Sequence, residues 1–207
     1  MRKNKQGLLI VLSGPSGSGK DTVLGELTES VDDLEISISL TTRAKRPWEY
    51  DGTHYYFVSR AYFEEKLAAG EILEHTQYNG NYYGTPRASI DEWLSRGKTV
   101  ILKIEVEGAA NVRALYPDCV CVFLVPPSMQ VLMERLFRRE SEDAAEIARR
   151  TEIARREILR AREYDYIVLN DVLDYAVSDF RAIIRAEHQR VARRNYLISE
   201  VLQDAQC

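Results

Sequence analysis

Gly14-Pro15-Ser16-Gly17-Ser18-Gly19-Lys20 follows the apolar run Leu8 to Leu12 and leads into an amphipathic stretch from about Gly19 to Glu29. A buried strand that ends in a glycine-rich turn and opens a helix is the context in which such a string cradles phosphate. The glycines let backbone N–H groups turn inward around an oxyanion, and the helix N-terminus adds the positive end of its dipole. Lys20 supplies a point charge for β- and γ-phosphates. Residues Gly14 to Lys20, with Asp21 and Thr22 just beyond, are therefore expected to hold the phosphates of a nucleotide. One position departs from the usual motif. The residue after the lysine, ordinarily Ser or Thr, is Asp21. A metal-ligating hydroxyl is missing from its usual place, and no protein ligand is assigned to a metal, with Asp21 as the one candidate.

Outward from this loop, apolar runs alternate with amphipathic stretches, the pattern of a mostly parallel sheet covered by helices. Glu35 to Leu40 alternates at period two and reads as a strand. Thr99 to Ile104, Val120 to Val125 and Ile167 to Leu169 read as further strands. Helices are expected over Ala61 to Ala69, Ala109 to Leu115, Ser128 to about Arg138, a long stretch ending near Glu163, and Leu173 to Leu202. Pro86 sits where a first helical position belongs, with Thr85 as its N-cap and Gly97 closing that helix. Between Thr41 and Gly84 the character changes. Seven of the twelve tyrosines fall there among short β-like pieces, which suggests an inserted subdomain with its own small sheet. The expected fold class is α/β: a P-loop three-layer fold with a mostly parallel central sheet, a small inserted α+β subdomain and a helical lid. The core spans 1–40 and 86–207, the insert 41–85 and the lid 138–150.

With 207 residues, 45% hydrophobic and 29% charged, the chain is long enough for one such domain. A net charge of −4 argues against nucleic acid as a partner. No run approaches 18 apolar residues, so no membrane association is expected. Cys119 and Cys121 are spaced C-x-C on a strand, which suits neither a zinc knuckle nor a CxxC redox site. With Cys207 they make three cysteines, read as small apolar side chains in a cytoplasmic protein. His54, His75 and His188 form no ligand spacing.

Four strings together carry a resemblance: Gly14 to Lys20, then Thr41-Thr42-Arg43-Ala44-Lys45-Arg46-Pro47, then Gly80-Asn81-Tyr82-Tyr83-Gly84-Thr85, then Asn170-Asp171. In this order and at these spacings, over about residues 7 to 203, the chain resembles the guanylate kinases. The resemblance implies a core that holds ATP with Mg²⁺, an inserted subdomain that binds GMP, and an arginine-bearing lid. The implied reaction is phosphorylation of GMP, and of dGMP, to the diphosphate in purine nucleotide metabolism.

A monophosphate acceptor must be brought against a polyanionic donor, and arginines with tyrosine hydroxyls can hold it in line. By resemblance, Arg43 and Arg46 with Tyr55 and Tyr83 form the clamp for the GMP phosphate. Guanine offers N1–H and an exocyclic amine, and one carboxylate can accept both. Glu74 matches the family's guanine-reading glutamate, Ser39 and Thr85 its hydroxyl contacts, and Glu105 an acid near the base. Residues 128 to 163 hold nine arginines, no lysines and eight carboxylates, so most of these side chains are expected to form i,i+4 ion pairs. Within that stretch Arg139 and Arg150 match the lid arginines, which with Lys20 and Arg43 are the expected catalytic set. Asn170 matches the adenine-side asparagine.

Two further departures are the string Arg139-Glu140-Ser141-Glu142, which lacks the family's lid glycine, and Lys103, where the family carries an acid. Where the family pattern has a neutral hydroxyl and an acid, Asp21 and Lys103 put a carboxylate and an ammonium; the two are expected to pair when no metal is bound, the alternative being that Asp21 is only a favourable helix-start residue. Two alternatives stand beside the kinase reading. One is a family member that has lost catalysis and serves as an interaction module; the other is a P-loop kinase of a different phosphorylated acceptor, such as a pentose phosphate.

Overall fold

The computed structural model describes residues 6–78, 80–139 and 144–204. The first half runs β1 (Leu8–Ser13), α1 (Lys20–Ser30), β2 (Leu34–Ser37), β3 (Leu40–Thr41), β4 (Tyr56–Phe57), α2 (Arg60–Ala68), β5 (Ile72–Tyr78), β6 (Asn81–Pro86) and α3 (Arg87–Ser95). The second half runs β7 (Thr99–Lys103), α4 (Val106–Leu115), β8 (Val120–Val125), α5 (Met129–Arg139), α6 (Ala144–Leu159), β9 (Tyr166–Leu169), α7 (Leu173–His188), α8 (Val191–Arg194) and α9 (Tyr196–Asp204).

Strand β1 is buried along its whole length and lies in the middle of a five-stranded sheet of order β2-β7-β1-β8-β9. Every pairing in that sheet is parallel. Near-continuous apolar strands such as LLIVLS and VCVFLV suit a parallel sheet covered on both faces. Alternate residues of β1 go to opposite layers. Leu8, Ile10 and Leu12 pack with Leu27 of α1 and Phe180 of α7, whereas Leu9 and Val11 pack with Ile90 of α3 and Val112 of α4. Each such fully buried side chain contributes roughly 2 kcal/mol by transfer alone, so the loop that follows β1 is anchored in the best-packed part of the molecule.

A second, four-stranded sheet has the order β4-β3-β6-β5. Its pairs β3–β6 and β5–β6 are antiparallel, and Leu40, Phe63 of α2 and Ile72 form its own small core. Among the described residues no helix is long and apolar enough to cross a membrane.

The elements depart from expectation in three places. The strand expected over Glu35 to Leu40 is two strands in different sheets, because the Ser39 carbonyl accepts from the Tyr56 N–H (2.9 Å) and draws the chain away. Thr85 does not cap α3; its hydroxyl donates to Glu74 Oε1 at 2.5 Å, Pro86 ends β6 in the N-cap position, and the helix opens at Arg87. The expected helix Leu173 to Leu202 is broken after His188, where Arg190 is extended (ψ 140°). The break turns Arg193 inward, where it donates to Glu187 Oε2 at 3.0 Å and to the Asp118 carbonyl at 2.8 Å. A buried guanidinium needs such partners, and a continuous helix would carry Arg193 past them.

Candidate functional site

Between β1 and α1 the chain wraps into a tight loop. Gly17 and Gly19 have φ of 88° and 96°, a region that strains residues with a Cβ. At Gly19 the space is also taken: an added Cβ would lie 2.2 Å from Asn170 Nδ2. Asn170 follows β9 directly and is buried, and its amide donates to the Ser18 carbonyl at 2.8 Å. Arg135 of α5 donates to the Asn170 carbonyl at 3.2 Å. The loop is thus braced by the ends of two strands and by α5. Lys20 opens α1, and its Nζ donates to the Gly14 carbonyl and, at 3.3 Å, to that of Pro15. Asp21 stands in the first helical turn, where the dipole favours a carboxylate.

A cleft of about 210 Å³ lies between this loop and the second sheet. Lys20, Arg43, Arg46, Lys103 and Arg150 line it, against the carboxylates Asp21, Glu49, Glu105 and Glu157. Five cations face four carboxylates there, and the excess positive charge favours an anionic occupant. Arg43 is gripped bidentately by Glu49, Nη2 to Oε1 at 2.6 Å and Nη1 to Oε2 at 3.0 Å. Burial works to raise the Glu49 pKa, but the bonds from Arg43 and from the Arg46 backbone N–H outweigh it and hold the carboxyl below its usual value. The guanidinium carbon of Arg43 sits 5.5 Å from the Tyr55 ring, which meets Tyr83 edge-on at 5.8 Å. The expected phosphate clamp of Arg43, Arg46, Tyr55 and Tyr83 therefore converges on one wall of the cleft.

Asp21 and Lys103 do pair, with Nζ to Oδ1 at 2.6 Å. Burial works to lower the Lys103 pKa, but Tyr55 and Asp21 outweigh it and hold the ammonium above the ordinary lysine range. Arg150, on α6, donates to Ser16 Oγ at 3.0 Å and so brings that helix over the phosphate loop. Arg139 ends α5, but its side chain, like all of residues 140–143 with the departure from the lid glycine, lies outside the described residues.

Of the residues expected at the base, Glu105 lines the cleft and Ser39, Glu74 and Thr85 do not. Ser39, Glu74 and Thr85 are buried, at 8%, 6% and 0% exposure. Burial pushes the Glu74 pKa up, the Thr85 hydrogen bond pulls it back, and Glu105 adds a further push upward. Gly108 of α4 leaves room for this carboxylate, since a Cβ there would lie 2.4 Å from Glu74 Oε2. Glu105 occupies the N-cap position of α4 without a side-chain cap bond and lines the cleft, whereas Thr22 is exposed and does not line it.

Two cleft carboxylates escaped the sequence reading. Glu49 carried a faint signal, being three residues after Arg46 in a polar loop. Glu157 lies seven residues after Arg150, two helical turns away and hence on the same face. Its pKa is pushed up to about 7, first by burial and then by Glu105, against the pull of Lys20. Among the described residues no group of three or more His, Cys, Asp or Glu side chains could hold a metal ion by itself. Such a cleft fits Mg²⁺ as an ion that keeps its waters and arrives on phosphate oxygens, the usual habit of that ion; Asp21 is the carboxylate at the phosphate loop.

A family model described as guanylate kinase matches residues 6–187. The guanylate kinase of Lactococcus lactis subsp. lactis is 49% identical over 189 residues, covering 91% of this chain and 92% of its own. That of Symbiobacterium thermophilum is 45% identical over 202 residues, covering 98% and 96%. The crystal structure of guanylate kinase from Anaplasma phagocytophilum superposes with a TM-score of 0.77 at 34% identity, covering 92% of this chain and 90% of that one.

Proposed function

This chain belongs to the guanylate kinase family of phosphotransferases, and on that premise we propose that it transfers the γ-phosphoryl group of ATP to GMP, and to dGMP, in the cytoplasm. The observation that carries the proposal is the convergence of a glycine-rich phosphate loop with Lys20 and an arginine–tyrosine wall on one cleft. The chemistry needs no covalent intermediate. An oxygen of the GMP phosphate attacks the γ-phosphorus, the bond from that phosphorus to the β-bridging oxygen breaks, and ADP and GDP leave.

The chain's part is positioning and charge neutralisation. Backbone N–H groups of the loop Gly14 to Lys20, Pro15 excepted, would hold the donor phosphates, with Lys20 at the β- and γ-oxygens. Arg43, Arg46, Tyr55 and Tyr83 would hold the acceptor phosphate in line. Arg150 and Arg139 would close over the transferring group from α6 and α5, and Asn170 would border the adenine. Glu74, with Ser39, Thr85 and Glu105, would read the guanine edge. Mg²⁺ bound with ATP would neutralise phosphate charge, and Asp21, at the start of α1, is the carboxylate that would help to hold it.

Purified protein offered ATP with GMP, dGMP, AMP or a pentose phosphate, and assayed for ADP release, tests the proposal. Turnover confined to GMP and dGMP is the expected result. Preference for a sugar phosphate would overturn the acceptor assignment, and no turnover with any acceptor would make the chain an interaction module.

A further inference from the structure

Lys103 occupies an unusual place. It is the last residue of β7, the strand beside β1, and its side chain is only 17% exposed. Its ammonium bonds Asp21 in the first turn of the phosphate-loop helix at 2.6 Å and lies 5.1 Å from the centroid of the Tyr55 ring. Tyr55 in turn touches both Arg43 and Tyr83. The ammonium therefore stands between the donor-phosphate loop and the acceptor-phosphate wall. Its partner Asp21 is more than half exposed, at 58%. The ion pair is thus asymmetric, a well-packed cation beside a half-solvated carboxylate.

We propose that Lys103 is a phosphate-contact residue bridging the two anionic substrates, and that Asp21 is a positioning residue that holds the ammonium at the cleft until nucleotide takes its place. The inference rests on the kinase reading of the cleft. An ammonium between two phosphates gains far more from them than from one half-solvated carboxylate, because hydrogen bonds to charged groups strengthen with burial. Such a cation also does, without metal, part of what a divalent ion does for phosphate charge. Binding of metal-free nucleotide is accordingly where Lys103 shows itself.

The test compares Asp21→Ser with Asp21→Ser/Lys103→Met, so that neither protein carries the carboxylate and only the ammonium differs. Affinities for ATP and GMP are measured by calorimetry in EDTA, with adenosine and guanosine as phosphate-free controls and thermal melting as the check on folding. The double variant should bind ATP and GMP at least about tenfold more weakly than Asp21→Ser, with nucleoside affinity unchanged. Lys103→Arg in the Asp21→Ser background should recover most of that loss. Equal ATP and GMP affinity in the two proteins would overturn the proposal and leave Lys103 as a neutraliser of Asp21. Equal losses for nucleotide and nucleoside would overturn it too, making Lys103 a support for the fold. A wild-type protein that binds neither ATP nor GMP would instead sink the kinase reading, and this inference with it.

Discussion

Gly108→Ala places one methyl group against the carboxylate expected to read guanine. The new Cβ would lie 2.4 Å from Glu74 Oε2, and ordinary contact begins at 3.4 Å, so the carboxylate must retreat by about 1 Å. The backbone is a poor candidate to move instead, because α4 packs through Ala109 and Val112 against the central sheet. A shift of that size stretches the 2.5 Å bond from Thr85 to the limit of a hydrogen bond. Losing it costs roughly 1.5–3 kcal/mol for a charged acceptor. Alanine in place of glycine returns up to about 1 kcal/mol of helix preference. Net stability should therefore fall by only about 0.5–2 kcal/mol, readable as a modest drop in melting temperature. Function should suffer far more. Misplacement of a substrate-orienting group by about 1 Å costs on the order of 10²-fold, so kcat/KM for GMP should fall by that factor while ATP affinity stays within a few-fold. Steady-state kinetics with GMP varied, beside calorimetry with ATP, separates the two. A GMP kcat/KM within twofold of wild type would refute the placement of Glu74 at the base.

Lys20→Met should lower turnover at least about a hundredfold, as loss of a transition-state electrostatic group does. Its melting temperature should hardly move; near-normal turnover would dismiss the phosphate-loop assignment. Arg43→Ala should raise KM for GMP and lower kcat, with guanosine affinity nearly unchanged; equal losses for nucleotide and nucleoside would make Arg43 a strut of the second sheet through Glu49. Glu157→Gln tests the partly buried carboxyl. Its native pKa of about 7 lies above the ordinary 4.5, so both states hold the proton below pH 4.5. Between pH 4.5 and 7 only the unfolded state ionises, so wild-type stability is eroded as pH rises, and above 7 the penalty is constant. Relative to wild type, the variant should gain up to roughly 3 kcal/mol between pH 4 and pH 8. Parallel denaturation curves across that range would rule out a protonated Glu157.

The core was legible because its signals are local. Fully apolar strands announce a sheet buried on both faces, and Val120 to Val125 was bounded correctly for that reason. The phosphate loop was legible because backbone geometry there demands glycine and helix start together. The misreadings are long-range. Nothing near Arg190 announces a helix break; the cause is the Arg193 guanidinium meeting Asp118, seventy-five positions earlier. Thr85 looked like a helix cap because its competitor Glu74 sits on a neighbouring strand. Glu157 and Glu49 looked like surface carboxylates because burial is a property of the packed chain. The Asp21–Lys103 pair was the exception: two departures from one pattern, opposite in charge, pointed to each other across 82 positions.

The central position of β1 also orders events during synthesis. Its neighbours are Thr99 to Lys103 and Val120 to Phe123, so the most apolar strand of the N-terminal region waits for some ninety residues before its first partner exists. At about 5–20 residues per second that wait lasts roughly 5–20 s. The β5–β6 hairpin, whose strands are adjacent in the chain, meets no such delay. On the ribosome the second sheet can therefore assemble first, while Leu8 to Leu12 is a nascent sticky segment in need of shielding. The phosphate loop exists as a shaped object only after β8 and β9 have arrived to hold it.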